Sequence, residues 1–411
     1  MTETADMRDR HETPAGPATA RAPERMVWLD ALRLLAGVSM VMLHSSSDPN
    51  GEPFAAYAPA ERAFPVLLRA FFYIARTELF IIISLFLLVI SLERRPRPWG
   101  VMVREQARRL LVPFVFWVLF YAFWRLIKAD AFGYAGTLWR EMGHIEPWIG
   151  YFLLGDVKFH MHFLPTLFGI VLMTPLFRQA ARSPILGLMV LAALLVKREL
   201  DLFIWERAWW LPGYDYILRA VKILTYAGYG FVAAAAWGLM KRGFAGARAR
   251  PFLPAMIYLG LVLFALKLIA AFRTIETGKW PFDYTPGYWA DFLMPAAVFL
   301  IAMALADRRW PRLFTRLASY SFGLYLVHPI FIDLFEVLTR GLALSPGALV
   351  LSKIAFTLPL ASLLTWRIAR SRMLAWTIGL GELPRPGIVL ALLRRHPGGK
   401  ATGDGPPSPA E

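Results

Sequence analysis

Apolar residues in this chain gather into long blocks separated by short polar stretches. After a first run at 26–47, blocks follow at 79–92, 110–127, 163–177, 184–196, 223–240, 252–272, 289–306, 320–339 and 347–366. Several approach the ~20 residues that an α-helix needs to cross about 30 Å of hydrocarbon. The pattern predicts an all-α fold: a polytopic integral membrane helical bundle of about ten transmembrane helices. Two stretches fall outside it. "LFIWERAWWLPGYDY" (202–216), rich in Trp and Tyr, suits an outer-interface segment rather than a further span. "MLAWTIGLGELPRPGIVLALLRR" (373–395) is broken by Pro384 and Pro386 and reads as membrane-surface or re-entrant structure.

The first block, "WLDALRLLAGVSMVMLHSSS" (28–47), carries Asp30, Arg33 and His44. Arg33 and His44 are eleven residues apart. At about 100° and 1.5 Å per residue they share one helix face, some ~16 Å apart along the axis. Asp30 and Gly37 lie on the same stripe. Lipid exposure of a charged side chain costs several kcal/mol, so a polar stripe on a spanning helix turns toward protein or a water-filled cavity. The bland alternative is an Asp30–Arg33 pair at one headgroup region and His44 at the other.

Charge fixes the threading. With the N-terminus inside, the segments around 94–109, 178–182, 241–250, 308–316 and 367–400, together with the N-terminal tail, hold more than half of the 45 lysines and arginines. In the opposite loops, 48–70 and 128–160, acids roughly balance bases. Basic residues stay on the cytoplasmic side, so both termini are expected there. Residues 1–25 and 396–411 read as disordered cytosolic tails, and 26–372 as one transmembrane domain. The first 25 residues lack the apolar core of a cleavable signal.

Hydrophobic residues make up 57% of the 411, above the usual 45–50% of soluble chains. The net charge of +16 is therefore read as topology, and nucleic acid is not an expected partner. There is no cysteine, which excludes disulfides, thiolate nucleophiles and thiolate metal sites.

Other blocks bring further polar groups. Arg76, Glu78 and Ser84 lie in "ARTELFIIISLF", with Glu78 expected at a depth similar to His44. Arg104, Arg108 and Arg109 form a cationic cluster at the cytoplasmic start of the third helix. His160 and His162 stand in "HMHFLPTL", and Tyr325 and His328 in "SYSFGLYLVHPIF". Histidine is the usual base for taking a proton from a hydroxyl, and a carboxylate such as Glu78 is a candidate to orient its ring. Guanidinium groups suit a phosphate-bearing donor. The same residues also fit a proton-coupled transporter of a small molecule or glycan precursor, in which intramembrane His, Glu and Arg form a relay. His160-x-His162 has no carboxylate or cysteine partner in its motif, so no metal site is expected.

Five segments in order resemble the membrane acyltransferase 3 family. "WLDALRLLAGVSMVMLHSS" is similar to its first helix, a basic residue followed after ten residues by histidine. "TELFIIISLFLL" resembles its second helix, with Glu78 at the acid and Ser84 at the serine. "ARRLLVPF", "HMHFLPTLFGIVLMTPL" and "SYSFGLYLVHPIF" resemble later segments. Leu85, Gln106 and His162 depart from the family pattern. The resemblance implies an integral O-acyltransferase of the bacterial inner (plasma) membrane. It would move an acetyl or other short acyl group from acyl-CoA to a hydroxyl of an extracytoplasmic glycan or glycolipid. No permanently bound cofactor is implied; acyl-CoA, acetyl-CoA foremost, is the donor substrate. His44 takes the role of general base and Glu78 orients it. Arg33 contacts donor phosphate or orients the His44 side. Arg104, Arg108 and Arg109 receive CoA, and His160, His162, Tyr325 and His328 are assigned to the substrate side.

Overall fold

The computed structural model describes residues 26–282 and 284–383. The expected tails at 1–25 and 396–411, and 373–395 beyond residue 383, lie outside the described residues. Everything regular among the described residues is helical. The chain runs through α1 (Val27–Ser45), α2 (Pro59–Phe72), α3 (Thr77–Arg94), α4 (Trp99–Ala131), α5 (Ala135–Met142), α6 (Ile145–Leu153), α7 (Phe163–Leu172) and α8 (Thr174–Phe177). It continues through α9 (Met189–Arg207), α10 (Tyr214–Lys241), α11 (Leu253–Thr277), α12 (Thr285–Ala304), α13 (Arg312–Ala318), α14 (Ser321–Leu338) and α15 (Pro346–Arg370).

Each block read from the sequence is helical, but not each is a straight span. Eight helical segments among the described residues are long and apolar enough to cross a membrane, or nine if the bent pair α7–α8 counts as one. That pair turns by 62° where Pro175 follows Thr174. Proline removes a backbone donor and clashes with the preceding turn, so a bend is expected there. α9 has 19 residues but carries Lys197, Arg198, Glu199 and Asp201, and it falls short of the others in apolar character. The expected loop 48–70 is also revised. It contains α2, which continues through a single 3-10 turn into α3, so that Pro59–Arg94 forms one 36-residue segment. Residues 202–216 close α9, turn at Gly213 and open α10, and add no span.

Burial and apolarity part company in a way that water does not permit. α11 is the most hydropathic segment, yet only 17% of its apolar window is buried in protein; for α15 the share is 22%. α14, α10 and α3 are 67–72% buried. A soluble protein does not leave its greasiest helices bare. α11 and α15 therefore face lipid, and α1, α3, α10 and α14 form the interior.

Close packing sets that interior. Trp28 of α1 meets Phe86 of α3 and Phe299 of α12 edge-on, at 6.0 and 5.6 Å between ring centres. Gly37 of α1 lies against Ser321 of α14; a Cβ there would stand 3.1 Å from the serine Cβ. Small residues at such a crossing let membrane helices approach closely.

Hydrogen bonds sort the helix ends into two poles. At one, Trp99 reaches Leu172, Lys241 and Trp237 hold Glu93, and Arg250 pairs with Asp307. This is the basic pole. At the other, Lys353 reaches the Ser47 carbonyl, Lys128 that of Pro49, and Trp280 that of Gly51, while Lys158 binds Asp333. His44 lies here, so we call it the histidine pole. Among the described residues, the basic pole brings together Glu93 with Lys241, Arg182 with Arg242, and Arg250 with Asp307, in or beside four of the basic segments.

Candidate active site

His44 occupies the last turn of α1, where the helix hands over to buried Ser45, Ser46 and Ser47. Its ring packs on Phe159 at 4.2 Å and stacks on His328 at 5.4 Å between ring centres. Its Nε2 is buried and has no hydrogen-bond partner. A buried polar atom without a partner is costly, and it marks a place where a ligand group is wanted.

His328 owes its orientation to the next residue. Pro329 has no N–H, so the Tyr325 carbonyl four residues back loses its helical donor. His328 Nδ1 donates to that carbonyl at 2.7 Å. A carbonyl only accepts, which places the proton of the neutral ring on Nδ1 and a lone pair on Nε2. That Nε2 is also buried and unpartnered.

His160 is 1% exposed and packs against Tyr121, Tyr325 and His328, with ring centres 5.1–5.4 Å apart. Tyr325 donates its hydroxyl to the His160 carbonyl, which ties α14 to the segment leading into α7. Burial, followed by the neighbouring His328 and His44 rings, pushes the His160 imidazole well below the usual histidine range, so it is neutral near pH 7. The His162 carbonyl accepts from Arg219 and Thr166.

The structure thus brings together His44, His160, His162, Tyr325 and His328. His44, His160 and His162 line a cavity of about 130 Å³ with Arg69, Tyr73, Arg76 and Phe159. Glu78 takes a different part from the one expected. It accepts from Tyr226 at 2.6 Å and pairs with Arg76 at 2.8 Å, rather than orienting His44. Arg33 lies at the far end of α1, 28% exposed at its side chain, with Asp30 at 3.6 Å. The stripe therefore includes the Asp30–Arg33 pair that its spacing also allowed. Arg104, Arg108 and Arg109 are exposed on the first turns of α4 at the basic pole, away from the histidines.

Sequence reading assigned no role to Arg69 and Tyr73 and placed Arg76 only beside Glu78. A signal was present. Arg62, Arg69 and Arg76 recur every seven residues, and the last two both line the cavity wall. Arg69 donates to the Leu43 carbonyl at 2.6 Å, one residue before His44. Arg76, extended at the N-cap of α3, lies over Tyr73 and Phe292.

A family model described as an acyltransferase domain matches residues 26–366. No curated protein and no solved structure matches the chain.

Proposed function

The chain belongs to the acyltransferase 3 family and is a multi-pass membrane acyltransferase, and from that premise we propose the reaction and its geometry. The donor is a cytosolic acyl-CoA thioester, with acetyl-CoA the first choice, presented at the basic pole. The acceptor is a hydroxyl of a glycan or glycolipid reaching the cavity at the histidine pole, outside the cytoplasm. Both chain ends are then cytoplasmic, in a bacterial inner membrane.

His44 Nε2 takes the proton of the acceptor hydroxyl as its oxygen attacks the thioester carbonyl. The C–O bond forms and the C–S bond breaks. The proton passes from the imidazole to the leaving thiolate, giving an ester and free CoA. The His328 ring stacked on His44 and the Phe159 ring beneath it limit the turning of the base, and burial excludes water as a competing acceptor. Arg33, Arg104, Arg108 and Arg109 supply cations at the pole where CoA phosphates arrive. Arg76 is paired with Glu78, which balances that one cation of the cavity wall.

The observation that carries this reading is the bare, buried Nε2 of His44 on the wall of a cavity, at one end of a helix whose other end bears Arg33. Purified protein, labelled acetyl-CoA and candidate glycans test it, with esters counted by mass spectrometry. His44→Ala is expected to lower ester formation roughly 10²–10⁴-fold, the usual contribution of a general base, with unchanged elution and melting. Transfer that persists in the variant contradicts the assignment.

A further inference from the structure

A second and larger cavity, about 440 Å³, lies beside the histidine cavity and shares its wall of Arg69, Tyr73 and Arg76. It is enclosed by α2, α11 and α12 and bounded by the Trp280–Phe282 segment, which the Trp280 indole pins to the Gly51 carbonyl at 3.2 Å. Its volume falls within the roughly 300–1,000 Å³ of ligand sites. Its lining includes the aromatic side chains of Tyr73, Trp280, Tyr284, Tyr288 and Phe292. Such rings suit the C–H faces of a sugar ring.

The charges in this cavity do not cancel. Arg76 is matched by Glu78, and Lys267 by Asp291 at 2.7 Å. Arg69 has no carboxylate against it among the described residues. Its partners are the Leu43 carbonyl and the rings of Trp280 and Tyr73, at 4.6 and 5.7 Å. Only one of its five N–H groups is used in that hydrogen bond. The alternative is a purely structural cation, tying α2 to the end of α1 and held by its aromatic neighbours. That role leaves a positive charge in a low-dielectric cavity with no carboxylate in contact, since Asp291, the acid that shares the cavity, is paired with Lys267, and this favours an anion supplied by a ligand.

We infer that the larger cavity is the seat of the acceptor, and that it takes a saccharide carrying an anionic substituent, a carboxylate or a phosphate, received by Arg69. The inference rests on the acyl-transfer reading for the ligand's being the acceptor; the charge preference of the cavity does not. Binding the anionic group at Arg69 brings the sugar to the wall behind which His44 lies, with a neighbouring hydroxyl directed toward the histidine cavity.

Titration calorimetry on the full chain in nanodiscs separates the possibilities, with methyl glucoside, methyl glucuronoside and glucose 1-phosphate as probes. At least one anionic sugar is expected to bind roughly tenfold more tightly than the neutral one, the scale of one charge-assisted contact. Arg69→Gln should remove that preference while leaving the neutral sugar's affinity within about twofold, and Arg69→Lys should restore part of it. Trp280→Ala, which keeps the guanidinium, should weaken all three sugars and keep the preference, and it provides the test if the glutamine variant does not fold. Equal affinities, no binding by either anionic sugar, a preference that survives Arg69→Gln, or affinities unmoved by Trp280→Ala overturn the inference. If anionic preference appears but labelled acetyl-CoA yields no ester, the acyl-transfer reading fails and the cavity's selectivity stands.

Discussion

His328 takes its place in the site because the residue after it is proline. The missing N–H at 329 frees the Tyr325 carbonyl, and the imidazole takes it at 2.7 Å. Pro329→Ala restores a competing backbone donor. It is expected to loosen the His328 ring and slow acyl transfer by about tenfold, the equivalent of one hydrogen bond of about 1.4 kcal/mol. A rate assay beside a melting curve checks this; an unchanged rate denies His328 a positioning role. The two residues were legible as "HP" in an apolar run, but their carbonyl partner was not assigned. Glu78 shows the opposite limit. Its acidic character in a spanning helix marked it for the site, but Tyr226 is 148 residues away and no local pattern links them. Arg76, two residues before Glu78, would not meet it on a regular helix. It does so because it is the extended cap residue of α3, with ψ at −168°.

The helices at the histidine pole are joined by buried ion pairs rather than by apolar contact alone. Glu336 of α14 lies between Lys128 of α4, at 2.5 Å, and Lys353 of α15, at 2.7 Å. The same two lysines reach the Ser47 and Pro49 carbonyls, so the strand of chain leaving His44 is tied to three helices. Glu336→Gln leaves two lysines sharing no carboxylate at that point, and a loss of roughly 3–5 kcal/mol is expected. Thermal unfolding in detergent should show it as a lower midpoint, and transfer should fall because the end of α1 is released; an unchanged midpoint contradicts the brace. Little of this network could be read in advance, since lysines in an outer loop and in a spanning helix look alike whether they face water or each other. The helices themselves were legible from apolar length. α2 was missed because its arginines and Glu61 dilute the apolar run, although the arginines lie on one face and turn inward.

The molecule as a whole has a basic pole and a histidine pole, with Arg33 and His44 toward the two ends of α1. The alternation of basic and neutral segments expressed this polarity before any fold was known, because it follows from where cations come to rest at a membrane. The large cavity could not be read in the same way, since its walls come from three helices distant in sequence. In the reaction proposed above, donor and acceptor meet from opposite faces at His44. The absence of native cysteine makes the direct test clean. Gly100→Cys at the basic pole and Gly136→Cys at the histidine pole, both at open, exposed positions, report orientation in proteoliposomes through an impermeant thiol reagent. Labelled acetyl-CoA is then supplied only on the Gly100 side and glycan only on the Gly136 side. Ester is expected on the Gly136 side and is lost in His44→Ala. Ester formed without His44, or formed only when donor and glycan share a face, contradicts it.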